Sequence, residues 1–366
     1  MKREYDSTIL ILAVALTCFG VLMVYSSSSI VAAKRYHDSF YFLKRQGVFA
    51  LLGFVVLAVS MRIDYHWWRT CSIPLLIFCT MLMAAVFIPG VGHHAGGASR
   101  WIQMPGFSFQ PSEAAKMALI FYLAHSATKK EDRLKEFKYG YVPYMLVLLV
   151  LLGLMLAQRD LGGCATMAIV TGAMLLVAGT RWRYLLLSAM TAVPLLVVMI
   201  LQEEYRLERI MVFWDPWQDS SKAGFQIIQS WIGFGAGGLT GQGLGEGMQK
   251  LFYLPEAHTD FIFSVVGEEL GFVAVVIVIT MFLAVILLGL RVASQADDGF
   301  GRLTAFGISM LFGLQAFANM AVVTGMVPNK GLALPLVSYG GTSLLCTLFS
   351  LGVLLNISSY VKRDRR

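Results

Sequence analysis

Charged residues are scarce in this chain. Aspartate, glutamate, lysine and arginine supply 14% of its 366 residues, whereas soluble domains average about 25%. Hydrophobic residues supply 57% and fall in repeated long runs, which leave too little contiguous polar sequence for a separate soluble fold. The composition therefore excludes a soluble protein and predicts a single polytopic membrane domain over residues 1–366.

Several chemical motifs are also absent from the sequence. The five cysteines form no CxxC pair and have no metal-ligand spacing, so we expect neither a disulfide framework nor a cysteine-bound metal. Apart from the adjacent His93 and His94, the six histidines do not cluster with carboxylates at metal-ligand spacing. No nucleophile elbow, Walker loop or dinucleotide fingerprint is present. The sequence therefore offers no nucleotide-binding motif, and no organic cofactor is expected.

The chain contains instead a series of ten apolar runs. A helix needs about 20 apolar residues to cross a hydrocarbon layer about 30 Å thick, and most of the runs are near that length. We therefore predict an all-α integral membrane protein with about ten transmembrane helices, and a large extracytoplasmic loop at about residues 202–260 between spans seven and eight. The predicted spans are residues 9–31, 48–61, 72–88, 112–127, 141–157, 164–179, 184–201, 261–290, 303–327 and 339–357.

The distribution of basic residues predicts the orientation of these spans. The formal net charge is +7, and in a membrane protein a basic excess marks cytoplasmic loops beside anionic lipid, so we expect no nucleic-acid partner. With the N-terminus inside, lysine and arginine are denser in the inside segments than in the outside loops. This bias predicts that both termini are cytoplasmic, although the first outside loop, with Lys34, Arg35, Lys44 and Arg45, opposes it.

One charged motif lies where the chain enters the fourth predicted span, FQPSEAAK. Pro111 suits a first helical turn and Ser112 could cap it. Glu113 and Lys116 are three residues apart, so they share a helix face and can neutralise each other. Since a charged pair inside a membrane is costly unless it faces a cavity or a partner, both a structural ion pair and a pair lining a polar cavity stay open.

Two predicted outer loops carry further candidates. In QRDLGG, Arg159 and Asp160 precede a span, and the pattern favours a solvated turn or a helix cap over a binding site. In VPNKGLALPLVSYGG, Lys330 is an isolated charge among glycines, with Ser338 and Ser343 behind it. Glycines let backbone N–H groups approach an anion, and a lysine supplies the opposite charge. A pyrophosphate group would fit this loop, and a plain re-entrant turn is the alternative.

The largest group of acids lies in YLPEAHTDFIFSVVGEELG, at the start of the eighth predicted span. Asp260 lies at the mouth of that span, close to Glu256 and His258. A carboxylate at such a boundary is partly desolvated, which makes it a better proton acceptor from a docked hydroxyl. The alternative is that Thr259 or Asp260 caps the helix. Glu268 and Glu269 lie deeper in the span, and we expect them to stabilise it.

Three long motifs resemble those of the SEDS family of peptidoglycan glycosyltransferases. They are FSFQPSEAAK, GLGEGMQKLFYLPEAHTDFIFSVVGEELG and LPLVSYGGTSLL, and the resemblance extends over nearly the whole chain. Ala257 in PEAHTD, Lys330 in PNKG and the run NISSY are similar to division-type rather than elongation-type members. Arg159 in QRDLG and Asn329 in PNKG depart from the common family pattern.

The resemblance implies an activity. It implies that the chain polymerises lipid II into β-1,4-linked glycan at the outer face of the bacterial cytoplasmic membrane during septal cell-wall synthesis. Asp260 would then be the general base on the acceptor 4-hydroxyl. The expected substrate- and pyrophosphate-binding residues are Lys330, Arg100, Lys250, His258, Ser338 and Ser343, and the expected cavity-shaping residues are Glu113, Lys116, Asp160 and Glu256.

The resemblance also implies partners. They are an undecaprenyl-pyrophosphate-linked glycan as donor, a class B penicillin-binding transpeptidase and other division proteins. A divalent cation, Mg²⁺ or Mn²⁺, would fit between the pyrophosphate and the acids as a Lewis acid. The alternatives are an elongation-type polymerase, a lipid II flippase and a division scaffold without catalytic activity.

Overall fold

The computed structural model describes residues 5–95, 98–104, 107–201, 207, 211–219, 224–249, 257–328 and 331–361. Helices dominate this part of the chain. They are α1 (Ser7–Tyr36), α2 (Tyr41–Arg62), α3 (Tyr65–Ala85), α4 (Pro111–Lys129), α5 (Val142–Ala157), α6 (Leu161–Val177), α7 (Trp182–Leu201), α8 (Phe225–Gly237), α9 (Ile262–Gln295), α10 (Gly299–Val323) and α11 (Gly341–Ser358). Short helical turns cover Glu131–Arg133, Phe137–Tyr141 and Pro216–Asp219.

Each predicted span coincides with one of these helices. Within the described residues, seven helical segments are long and apolar enough to cross a membrane: α1, α2, α3, α9, α10, α11 and the segment Phe137–Ala157 that includes α5. Helix α6 is a shorter apolar helix, and α4 and α7 coincide with the two remaining predicted spans. The prediction of an all-α, multi-pass membrane protein is therefore confirmed.

Aspartates begin several of these helices. An aspartate at the N-cap accepts a hydrogen bond from a first-turn N–H group that would otherwise lack a partner. For Asp160, the carboxylate accepts from the Gly163 N–H at 2.9 Å, as the cap interpretation predicted. The other three caps are Asp6 at α1, Asp64 at α3 and Asp298 at α10.

Two predicted caps are wrong. Helix α4 begins at Pro111 as expected, but its N-cap is Gln110, and the Ser112 hydroxyl accepts a hydrogen bond from the Gln110 side chain at 3.1 Å. Helix α9 begins at Ile262, with Phe261 at the N-cap position. Neither Thr259 nor Asp260 therefore occupies the cap, because the turn before α9 is longer than the sequence pattern suggested.

The helix ends form two separate polar layers. On one side, Thr342 at the start of α11 donates to the Ser108 carbonyl at 3.0 Å. On the opposite side, the Tyr65 hydroxyl donates to Asp298 at 2.6 Å, and the Tyr65 N–H donates to Asn356 at 2.9 Å. This arrangement agrees with spans that alternate in direction. We call the layer with Ser108 and Thr342 the predicted outer side, since its orientation in the cell stays a prediction.

A small three-stranded sheet lies on the predicted outer side, and no pattern in the sequence had indicated it. Strands β1 (Gly92–Ala95), β2 (Ala98–Met104) and β3 (Phe107–Phe109) form an antiparallel meander in the order β1-β2-β3. Ile102 pairs with Gly92 on one side and with Phe109 on the other. The sheet follows α3 and leads directly into α4, the helix that carries Glu113 and Lys116.

Helix α9 is broken at Gly271, where the sequence predicted an uninterrupted span. Gly271 has φ 75° and ψ −175°, a conformation that is essentially restricted to glycine. The break exposes backbone groups that the glycine-rich loop, residues 238–249, then satisfies. The Gln242 N–H donates to the Glu268 carbonyl at 3.0 Å, and the Phe272 N–H donates to the Gly238 carbonyl at 2.9 Å. The loop is therefore built into the helix.

Candidate active site

The turn that carries Asp260 is held by the loop before α11. The Ser338 hydroxyl donates to the Thr259 carbonyl at 2.6 Å, and the Tyr339 N–H donates to the His258 carbonyl at 2.9 Å. The same Ser338 oxygen accepts from the Leu334 N–H at 2.8 Å. Because its single hydrogen is used inside the protein, the Ser338 hydroxyl braces the turn. Its predicted contact to substrate would have to use a remaining lone pair.

The Asp260 carboxylate lies beside the glycine of the PNKG motif. A Cβ atom added to Gly331 would lie 3.4 Å from Asp260 Oδ2. Gly331 has φ 63°, in the left-handed region that favours glycine. The structure thus brings together the predicted acid and the predicted anion-binding loop. Lys330 itself lies outside the described residues, as do the predicted site residues Lys250 and Glu256.

Aromatic rings pack against His258, two residues before Asp260. The His258 ring lies 4.5 Å from the Phe42 ring and 5.6 Å from the Tyr339 ring, measured between centroids. Phe42 is buried in the first turns of α2, so His258 is packed between elements distant in sequence. Ser343, the other predicted binding residue of this region, lies partly buried in the first turn of α11.

Sequence reasoning missed two buried amides at this site. The Gln46 side chain donates to the Ser338 carbonyl at 3.3 Å and accepts from the Gly340 N–H at 3.5 Å. The Asn319 side chain donates to the Asp260 carbonyl at 2.7 Å and to the Leu332 carbonyl at 2.6 Å. The sequence contained one signal for both residues, a carboxamide inside or beside an apolar run. Polar side chains in membrane spans face other protein groups, so such an amide is expected to have partners within the protein.

The Arg100 guanidinium has hydrogen-bond partners within the protein. It is on β2, and its Nε donates to the Gln158 carbonyl at 3.0 Å, while a second guanidinium nitrogen donates to the Arg159 carbonyl. Arg159 adopts a left-handed conformation, φ 61°, just after α5. Arg100 therefore satisfies carbonyls at the end of α5, and a role in binding pyrophosphate stays a prediction.

Asp160 is buried, with 5% of its surface exposed. The prediction of a solvated turn at QRDLGG is therefore wrong at this residue, and the alternative of a helix cap is correct. Asp160 is buried because the loop packs against α3. The neighbouring Gln158 is fully buried and donates to the Met83 carbonyl of α3 at 2.9 Å. This contact draws the loop into the bundle.

Glu113 and Lys116 form an ion pair inside the bundle. Lys116 Nζ lies 2.7 Å from Glu113 Oε1, and the two side chains are 3% and 14% exposed, respectively. Glu113 also lines a small cavity of about 10 Å³ between α4, α10 and α11. The structure therefore shows the structural ion pair, and of the two residues Glu113 borders the cavity. A pair that lines a polar cavity stays a prediction. Other lining residues are Met117, Leu311, Phe312, Gln315, Cys346, Thr347 and Ser350.

Replacing Lys116 with methionine should destabilise the protein, because it leaves the Glu113 carboxylate without its counter-charge. Removing one partner of a buried pair costs about 3–5 kcal/mol. We expect a lower midpoint of thermal unfolding in detergent. The double variant Glu113→Gln/Lys116→Met should recover most of the loss. Equal midpoints for wild type and Lys116→Met would contradict this account of the pair.

Glu268 and Glu269 are buried, with 1% and 0% of their surfaces exposed. Their carboxylates accept hydrogen bonds from the glycine-rich loop and from α1, which compensates for burying them. They thus join the loop to the first turns of α9, and the expected stabilising role agrees with this arrangement. The donors are the N–H groups of Met248 (2.7 Å) and Gln249 (3.2 Å) to Glu268, and the Gly245 N–H (3.1 Å) and Ser26 hydroxyl (2.5 Å) to Glu269.

The part of the chain that the structure describes holds no group of three or more histidine, cysteine, aspartate or glutamate side chains that could bind a metal ion. The described residues do not by themselves fit a resident metal.

The fold and the site define a multi-pass membrane protein with a carboxylate at one end of its helical bundle, beside a glycine-containing loop. The family model for FtsW, RodA and SpoVE, described as cell cycle proteins, matches residues 6–363. The chain therefore belongs to this family, and the family predicted from its motifs is confirmed.

Individual relatives agree with this assignment. A probable peptidoglycan glycosyltransferase FtsW of Geobacter sulfurreducens is 58% identical over 360 residues, which cover 98% of this chain and 96% of the relative. Stage V sporulation protein E of Bacillus subtilis is 39% identical and covers 98% of both chains.

Solved structures give the same result. A chain of a peptidoglycan synthase complex, described in terms of coordinating polymerization and crosslinking, aligns with a TM-score of 0.80 at 27% identity, over 97% of this chain and 98% of that one. The rod shape determining protein RodA of Thermus thermophilus aligns with a TM-score of 0.73 at 26% identity, over 99% of both chains.

Proposed function

We propose that this chain polymerises lipid II into β-1,4-linked glycan, with Asp260 as the general base on the acceptor 4-hydroxyl. The chain is a peptidoglycan glycosyltransferase, the enzyme class of its relatives at 55–58% identity. The observation that supports the mechanism is the proximity of the Asp260 carboxylate to Gly331. It brings a proton acceptor and a candidate anion-binding loop to the same point.

The proposed step needs one carboxylate. The acceptor hydroxyl loses its proton to Asp260 while its oxygen forms a bond to the donor C1 atom. The bond from C1 to the pyrophosphate oxygen breaks, and the electron pair leaves with the pyrophosphate. Attack from the opposite face inverts C1, so an α-linked donor gives a β-linked product. A glycosidase uses a second acid to protonate its leaving group, but a pyrophosphate leaves without one.

A departing pyrophosphate needs positive charge or N–H donors instead of an acid. Lys330 directly precedes Gly331 in the sequence, which supports its role as the counter-charge. Lys250 follows Gln249, whose N–H group is held by Glu268. We propose these two lysines as the main pyrophosphate ligands. Arg100 is a weaker candidate because two carbonyls already engage its guanidinium.

We propose separately that a divalent cation, Mg²⁺ or Mn²⁺, takes part in the reaction. The described residues offer no three-ligand cluster, so we assign no step of the reaction to a cation. If one takes part, it binds with the substrate pyrophosphate, and polymerisation should fall after treatment with EDTA and return when Mg²⁺ or Mn²⁺ is added back. Full activity in EDTA would exclude the cation.

We also propose a class B penicillin-binding transpeptidase as partner and the division septum as the site of action. The similarity to a chain of a peptidoglycan synthase complex supports the partner. The higher identity to relatives named FtsW, 58%, than to the structure named RodA, 26%, supports the division role over the elongation role.

Polymerisation of purified lipid II tests the proposed function directly. The chain is incubated with lipid II, with and without the transpeptidase, and the products are separated on a gel. We expect a ladder of glycan strands. Transbilayer movement of lipid II in vesicles without any ladder would favour a flippase, and a chain inactive in both assays, with and without the transpeptidase, would favour a scaffold.

A further inference from the structure

We propose that Asn319 is a positioning residue, whose side-chain amide fixes Asp260 relative to the PNKG loop. This inference rests on the proposed function and deepens it. Asn319 lies in α10 and is 1% exposed. Its Nδ2 atom donates to the Asp260 carbonyl at 2.7 Å and to the Leu332 carbonyl at 2.6 Å. One nitrogen thus joins the segment that carries the base to the segment that follows Gly331.

The chemistry of the amide fixes its orientation. The NH₂ group has two hydrogens, and the two carbonyls use both. In the flipped orientation, the amide oxygen would face two carbonyl oxygens, so the observed orientation is the one that forms hydrogen bonds. Asn319 Oδ1 is buried and has no hydrogen-bond partner among the described residues. An unpaired buried acceptor costs free energy. The two hydrogen bonds that Nδ2 donates therefore determine how the Asn319 side chain is oriented.

Helix α10 holds the Asn319 amide in a fixed position. The Ser230 hydroxyl of α8 donates to the Val323 carbonyl at 2.7 Å, one turn after Asn319. Gln315, one turn before Asn319, lines the cavity bordered by Glu113. Residues four apart share a helix face, so α10 presents one polar side to both the cavity and the Asp260 turn. Movement of the Asp260 main chain away from the Leu332 main chain would break at least one hydrogen bond of Asn319.

The test compares the turnover of folded protein. Asn319→Leu keeps similar size but removes both donors, and Asn319→Ser keeps one donor on a shorter side chain. Since a displacement of about 1 Å can cost about 100-fold in rate, we expect kcat per folded molecule to fall about 10- to 100-fold for Asn319→Leu. The fall should be smaller for Asn319→Ser, and the KM for lipid II should change less than about threefold.

Thr304→Val is the matched control. Thr304 is also fully buried in α10, and its hydroxyl has no hydrogen-bond partner in the described part of the chain. This variant should turn over lipid II at the wild-type rate. A purely structural role for Asn319 would lower the amount of folded protein but not kcat per folded molecule. If Asn319→Leu does not fold, Asn319→Ser decides the question.

The outcomes separate this inference from the proposed function. Wild-type kcat for both folded Asn319 variants, together with an inactive Asp260→Asn variant, would overturn the positioning role and leave the general base in place. Wild-type turnover by Asp260→Asn would remove the basis of both. Reduced kcat in the Asn319 variants with an unchanged Thr304→Val control supports the inference.

Discussion

Asp260→Asn should lose polymerisation of lipid II by about 100- to 10,000-fold, the usual contribution of a general base. Asparagine keeps the size of the side chain and its hydrogen-bonding oxygen, but it cannot accept the acceptor hydroxyl proton at neutral pH. The main-chain contacts of the turn involve the carbonyls of Thr259 and Asp260. They do not depend on the carboxylate, so the fold should persist. The measurement is the rate of glycan formation by the purified complex.

Asp38→Asn is the matched control for charge. Asp38 lies between α1 and α2 and forms an ion pair with Lys44 at 2.8 Å. Hydrogen bonds from the Lys44 ammonium and the Phe40 N–H hold the pKa of Asp38 below its usual value, so Asp38 is ionised at neutral pH. Its replacement removes one negative charge from the predicted outer side and should leave the rate unchanged. Equal rates for Asp260→Asn and wild type would exclude the general-base assignment.

The helices could be predicted from the sequence because the length and spacing of apolar runs depend on local composition. The second span shows the limit of this reasoning. Helix α2 begins at Tyr41, earlier than predicted, because Lys44 and Arg45 interrupt the apolar run without interrupting the helix. The three-stranded sheet was missed because its strands are short and are stabilised by pairing with one another.

The candidate site was only partly predictable. Asp260 and the PNKG loop were each identified from their motifs, but their proximity depends on the packing of α9 against α10 and α11. Asn319 was missed because one amide in an apolar helix does not reveal which carbonyls it faces. The burial of Asp160 was missed because the packing of this loop against α3 does not appear in the local sequence.

The break at Gly271 was also invisible in the apolar pattern, since the hydrophobic run continues on both sides of it. A signal was nevertheless present. Glycine recurs in the preceding loop, at Gly238, Gly241, Gly243, Gly245 and Gly247. Such density indicates close approach of two backbones. A Cβ atom at Gly241 would overlap the Glu269 carbonyl, so the loop and the helix fit together only through glycine.

Gly271→Ala should therefore destabilise the protein strongly. A residue other than glycine at φ 75° and ψ −175° costs about 1–3 kcal/mol in backbone strain alone. The added Cβ would also lie 2.6 Å from the Leu239 carbonyl oxygen and closer still to the Gly241 nitrogen. Both neighbours are main-chain atoms, which cannot rotate away. We expect a total loss of about 3 kcal/mol or more, measured as a lower midpoint of thermal unfolding.

Gly153→Ala is the control that isolates the effect of the break. Gly153 lies inside α5 with nothing within 4 Å of an added Cβ, and alanine is favoured over glycine in a helix interior by about 0.5–1 kcal/mol. The same chemical change should leave this variant as stable as wild type or slightly more stable. If Gly271→Ala also unfolds at the wild-type midpoint, the glycine-rich loop is not held in the break as described. If only Gly271→Ala is destabilised, the effect comes from the break, which joins the loop to the half of α9 that follows Asp260.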